Sequence, residues 1–201
     1  MKKNNAKKVA IILIVLALLI GGTIGGTIAY LMMATDPVTN TFTSSNVSIT
    51  LTETKPADKT AKMVPGAVIE KNPTVTVIAG SETCYVFVKV DAANGAVLAA
   101  SATANDYITY AMADGWEVLD ATNYPGVYYR EVAASNADQP FAVLAGNKVQ
   151  VLNTVTKAMM NTAKTAQPTL TFAAYAIQKE NVGNAAAAWD LVKNETPATN
   201  Q

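Results

Sequence analysis

The sequence predicts an all-β fold, an antiparallel β-sandwich with short helices in its connections and near the C-terminus. Three observations carry this expectation. Apolar and polar residues alternate with a period of two in segment after segment, the signature of strands with one buried face. The segments are short, and pairs of turn-forming residues such as Gly80-Ser81, Asp114-Gly115 and Gly146-Asn147 separate them at the spacing of a sandwich. A chain of 201 residues is long enough for one core of ordinary size and short for two.

Before the sandwich comes a different pattern. Four lysines within the first eight residues precede "VAIILIVLALLI" (residues 9–20) and the small-residue tail "GGTIGGTIA", the order of a secretory signal peptide. Thr27 and Ala29 stand where small residues precede a cut, so residues 1–29 are expected to be a signal cleaved after Ala29. The alternative is an uncleaved tether, because no charge occurs from Val9 until Asp36 and such a stretch can cross a hydrocarbon core of about 30 Å. The Gly-rich tail, a poor helix former, favours cleavage. Residues 30–42 remain apolar at Tyr30, Leu31, Met32, Met33 and Val38.

The sandwich is expected over residues 43–192. In "FTSSNVSITLTET", Val47, Ile49 and Leu51 alternate with Ser48, Thr50 and Thr52. "PTVTVIAGSETCYVFVKV" reads as two strands about Gly80-Ser81, the second apolar on both faces and therefore central. "YITYAMADGWEVL" reads as a hairpin about Asp114-Gly115. Further strands are expected in "NYPGVYYREV" after a Pro125-Gly126 turn, in "KVQVLNTV" after Gly146-Asn147, and in "TLTFAAYAIQ" after Pro168. The Ala-rich stretch 90–106, broken by Gly95, is expected to be a loop with a short helix. "GNAAAAWDLV" (183–192) predicts a helix capped by Asn184 and docked by Trp189, and residues 193–201 a frayed tail.

Composition removes several chemistries. The chain has no histidine, which excludes Ser-His-Asp and Cys-His nucleophile pairs, an HExxH zinc site and a histidine general base. We therefore expect no catalytic residues, no cofactor and no metal ligands. Beyond residue 8 there are eleven basic residues against fifteen acidic ones, without a basic cluster, so nucleic acid is not an expected partner. Cys84 is the only cysteine; in phase with Val86, Val88 and Val90, it reads as a small buried side chain. Aspartates such as Asp36, Asp91, Asp114 and Asp138 are scattered beside turns, with no calcium-loop spacing. Trp116, Tyr124, Tyr128 and Tyr129 suit either a sugar-binding face or the cover of a core.

Together, the Lys-rich start, "GGTIGGTIAYL", "TNTFTSSNVSITLTE", "MVPGAVIEKNPTVTV" and "TLTFAAYAIQ" resemble the TasA/camelysin family of exported Gram-positive proteins. The resemblance implies a jelly-roll-like sandwich, removal of the signal by a dedicated signal peptidase, and an extracellular or cell-surface location. It further implies a structural subunit that polymerises with copies of itself into fibres of a biofilm matrix, with an accessory matrix or anchor protein as a further partner. In that assembly each subunit's N-terminal segment fills a groove in its neighbour, which makes Tyr30, Leu31, Met32, Met33 and Val38 the candidate donor strand. Pro37 lacks an N–H, so pairing is expected on either side of it and not through it. The alternative is that residues 30–42 fold back on their own sheet. Other members are described as cell-surface metallopeptidases, a role for which this sequence lacks both histidine and a compact carboxylate cluster. A membrane-tethered binding module is the remaining alternative.

Overall fold

Eleven strands form where the period-two pattern and its turns place apolar side chains on a common face. In the computed structural model they are β1 (Ile49–Glu53), β2 (Val68–Glu70), β3 (Pro73–Val77), β4 (Cys84–Ala93), β5 (Ala96–Leu98), β6 (Ile108–Tyr110), β7 (Glu117–Asp120), β8 (Tyr124–Val132), β9 (Gln139–Ala142), β10 (Lys148–Val151) and β11 (Thr169–Gln178). Within residues 63–198 two α-helices accompany them, α1 (Lys157–Ala163) and α2 (Ala185–Val192). The structure describes residues 14, 46–53 and 63–198. Contacts divide the chain into residues 1–43 and 44–201, and the second unit holds the strands.

The strands pair in three groups, β1-β3-β9, β2-β10-β6-β5 and β11-β4-β8-β7. The first two are continuous, because the Ala113 N–H donates to the Val143 carbonyl (2.9 Å) and the Ala145 N–H to the Ala111 carbonyl (2.9 Å), beside the pair Met112 and Leu144. Together they make one bent layer, and the third group makes the other. This is an all-β sandwich.

Between the layers lie Leu51, Val75 and Val77 from one side and Cys84, Val86, Val88, Val90, Phe172 and Ala174 from the other. β4 is central, as its two apolar faces predict: its even-numbered side chains fill this core, while Tyr85 and Phe87 on the reverse face pack under α2. The α2 helix starts as expected, with the Asn184 side chain accepting from the Ala187 N–H at 2.9 Å.

Three local expectations are corrected. Gly80 and Gly115 do have the positive φ angles of turns (82° and 83°). Neither turn joins paired strands, however, since β3 and β4 lie in different layers, as do β6 and β7. A turn reverses the chain, but pairing follows whichever layer can bury the strand's apolar face. Pro125-Gly126 is not a turn before a strand; both lie within β8, where Val118 opposes Tyr128 but Asp120 opposes Tyr124. The extra residues form a bulge. Gly126 (φ 76°) is required there, because a Cβ would lie 2.6 Å from the Val90 carbonyl oxygen. Finally, the stretch 90–106 contains the expected short helix, a 3-10 turn at Ala99–Ser101, but also the end of β4 and all of β5, which pairs in parallel with β6.

Burial in this core has a consequence for alkaline pH. It pushes the Cys84 thiol from 9.0 up to about 11 and, with a smaller contribution from Tyr128, the Tyr110 phenol from 10.0 up to about 12. Both groups are neutral when protonated, and the fold holds the proton more tightly than the unfolded chain does. Their contribution to stability is therefore complete below about pH 9 and is lost as pH rises toward the folded values. We expect Tm to fall above about pH 9, and Cys84→Val, which removes one of the two groups, to lose less of its stability at about pH 10 than the wild type. Identical pH profiles for the two proteins would assign the alkaline loss to other groups.

Candidate functional site

Every sheet must end somewhere, and in this sandwich two ends meet. Among the described strands, β1 is an edge of one layer and β11 an edge of the other. The Ile78 N–H donates to the Ser48 carbonyl at 2.9 Å, so residues 48, 50 and 52 turn their backbone groups inward to β3. By the alternation of an antiparallel ladder, Val47, Ile49 and Leu51 turn theirs outward. Ser81 fixes the start of this segment, its hydroxyl oxygen accepting from the Ser48 N–H at 3.2 Å. On β11, Ala174 exchanges both backbone hydrogen bonds with Ala198, at 3.1 and 2.9 Å. The same alternation turns the backbone groups of Phe172 and Ala176 to that outer edge.

Between the two edges lies a groove of about 390 Å³. Val47, Ile49, Ala174, Ala176 and Val192 contribute its apolar lining, and the chain from Glu195 to Ala198 forms one wall. Val47, Ile49, Ala176 and Ala198 are only partly buried although they pack against the main core. The core is thus incompletely covered here, beside backbone donors and acceptors that no described strand satisfies. Such a seam can accept an extended apolar segment.

The wall is held by α2. Asp190 at its end accepts from the Tyr124 hydroxyl at 3.0 Å and the Lys193 ammonium at 2.8 Å. The Lys193 hydrogen bond, with that of Tyr124, holds the Asp190 carboxyl below its usual range. The Glu195 N–H then returns to the Val192 carbonyl at 2.9 Å and directs the following residues onto β11. The sequence suggests fraying from Lys193; through Ala198 the chain is instead held by these bonds. Alternation cannot reveal a strand contact made by one residue pair.

The cleavage position Ala29 and the donor residues Tyr30, Leu31, Met32, Met33 and Val38 lie outside the described residues. The four aromatic side chains do not share a face. Trp116 and Tyr128 belong to the core between the layers, whereas Tyr124 and Tyr129 lie on the α2 side. Trp116 is 8% exposed, and its indole N–H is taken by the Ala142 carbonyl at 2.8 Å. Arg130, the only arginine, lies 5.3 Å from the Trp116 ring centroid and 3.9 Å from that of Phe141. Burial lowers its pKa. It forms no ion pair among the described residues, and its stacking closes the core at β8, two strands from β11. Cys84 is fully buried. Among the described residues no three Cys, Asp or Glu side chains converge on a point that could hold a metal.

Comparison with protein-family models, with characterised proteins and with solved structures finds no match for this chain.

Proposed function

We propose that this protein is an exported structural subunit that polymerises into extracellular fibres of a biofilm matrix or cell surface, with its N-terminal segment as the strand donated from one copy to the next. The observation that supports this reading best is the seam at β1 and β11, where two edges of the described strands flank a groove with Val47, Ile49, Ala174, Ala176 and Val192 in its lining. A groove of that kind suits an extended segment that brings apolar side chains, and residues 30–42 supply Tyr30, Leu31, Met32, Met33 and Val38. Donation from one copy into a different surface of the next is a heterologous contact, which propagates into a filament instead of closing as a dimer. The resemblance to the TasA/camelysin family supports the same assembly, the jelly-roll-like variant of the sandwich, the dedicated signal peptidase and the accessory anchor protein. No enzymatic role is part of the proposal.

The test is intact mass and negative-stain microscopy on the protein recovered from its native setting. Filaments whose subunits begin between Tyr30 and Thr35 are the expected result. A monomeric protein beginning at Met1 in the membrane fraction would replace the filament reading with the tether.

A further inference from the structure

A free sheet edge ten residues long is a liability in a soluble subunit, because its backbone groups pair with whatever strand arrives. Among the described residues β11 is such an edge, and its guard is slight. Ala198 makes one pair with Ala174, and no other residue of the C-terminal segment pairs with β11 among the described residues. Pro197 precedes Ala198, lies on the opposite phase of the segment, and has no N–H to offer outward. A very short strand carrying proline is one of the ways in which proteins blunt an edge.

We propose that residues 196–198 are a removable guard, which occupies the β11 edge in the free subunit and is displaced by residues 30–42 of a second copy during assembly. This rests on the filament reading above. The guard holds its place through the two hydrogen bonds of a single pair. Leu170, Phe172, Ala176 and Gln178 share the phase of Ala174, so their outward backbone groups remain for a longer strand. The exchange therefore replaces one pair by several. Side chains point the same way. Ala198 brings only a methyl group to this edge, whereas Leu31 and the adaptable Met33 on one phase, or Met32 on the other, bring larger apolar side chains. The guard thus delays pairing without competing with the final state.

Three forms of the chain beginning at Tyr30 test this by light scattering and negative-stain microscopy, with circular dichroism to establish folding. They are the wild type, a chain ending at Glu195, and Ala174→Cys/Ala198→Cys in a Cys84→Val background. Glu195 is kept so that its N–H still reaches Val192. The paired Cα atoms of a hydrogen-bonded antiparallel pair lie about 5.5 Å apart, within reach of a disulfide. The chain ending at Glu195 should elongate about tenfold faster than the wild type, as the loss of two backbone bonds implies. The oxidised cysteine pair should form no filaments, and reduction should restore them. Filaments from the oxidised form, or equal rates for the shortened and wild-type chains, would remove the guard and leave the filament reading in place. Failure of every form to polymerise, the wild type included, would remove both.

Discussion

A chain beginning at Tyr30 is expected to form filaments, and one beginning at Thr41 to remain a folded monomer. The shorter chain keeps every residue of β1 through α2, so its circular dichroism should still show a β-rich fold. What it loses is Leu31, Met32, Met33 and Val38. Burying a side chain of this size contributes about 1.5–3 kcal/mol, and each 1.4 kcal/mol is about a tenfold change in association. Loss of several such contacts, with the backbone pairing that accompanies them, exceeds what concentration can recover in a sedimentation or microscopy experiment. The effect should be all or none. The donor is expected to pair on one or both sides of Pro37 and not through it, since a proline cannot donate within a ladder. Equal filament formation by the two chains would exclude donation and place residues 30–42 on their own sheet.

The parts of this fold that were legible in the sequence are those in which one physical signal dominates. β4 and β11 are ten residues each; the apolar run from Cys84 to Val88 marked the first, and the stretch after Pro168 marked the second. α2 carries its own cap and its own aromatic anchor, so its limits could be placed closely. β2 and β9 were not legible, being three and four residues long, with Pro140 inside β9. Their pairing is decided by the neighbours β10 and β3, not by their own pattern. The seven-residue α1 was missed for a related reason. Its signal is Thr156, whose hydroxyl accepts from the Met159 N–H at 3.2 Å, and a lone threonine before "KAMMNTA" is a weak cap signature. The two supposed hairpins show the commonest limit of local reading. Glycine at positive φ marks where the chain turns, and which layer the next strand joins is settled by distant partners. The groove shares that limit, because an edge is defined by the absence of a neighbour. Alternation in β1 and β11 predicted their buried faces, but nothing in either segment says that no described strand adjoins its outer side.

Replacing Trp189 by alanine is expected to be the most destabilising single truncation on the α2 side of the sandwich. Trp189 is 4% exposed. Its ring centroid lies 5.4 Å from that of Phe87 and 5.1 Å from that of Tyr175, the latter at 90°, an edge-to-face geometry that adds to simple burial. Truncating a buried aromatic residue of this kind costs about 3–5 kcal/mol, a large share of the roughly 5–15 kcal/mol by which domains are stable. Leu191, two residues on and 60% exposed, provides the control on the same helix. Leu191→Ala should stay within about 0.5 kcal/mol of the wild type, because it removes little buried contact. Urea unfolding followed by circular dichroism measures both. A cost below about 1 kcal/mol for Trp189→Ala would mean that α2 is not docked on β4 through this ring. The consequence reaches the groove, because the same helix delivers Val192 to its lining and Ala198 to β11. A subunit whose α2 is loosened should therefore lose its guard along with its stability, and Trp189→Phe, which keeps an aromatic ring against Phe87 and Tyr175, should retain most of both.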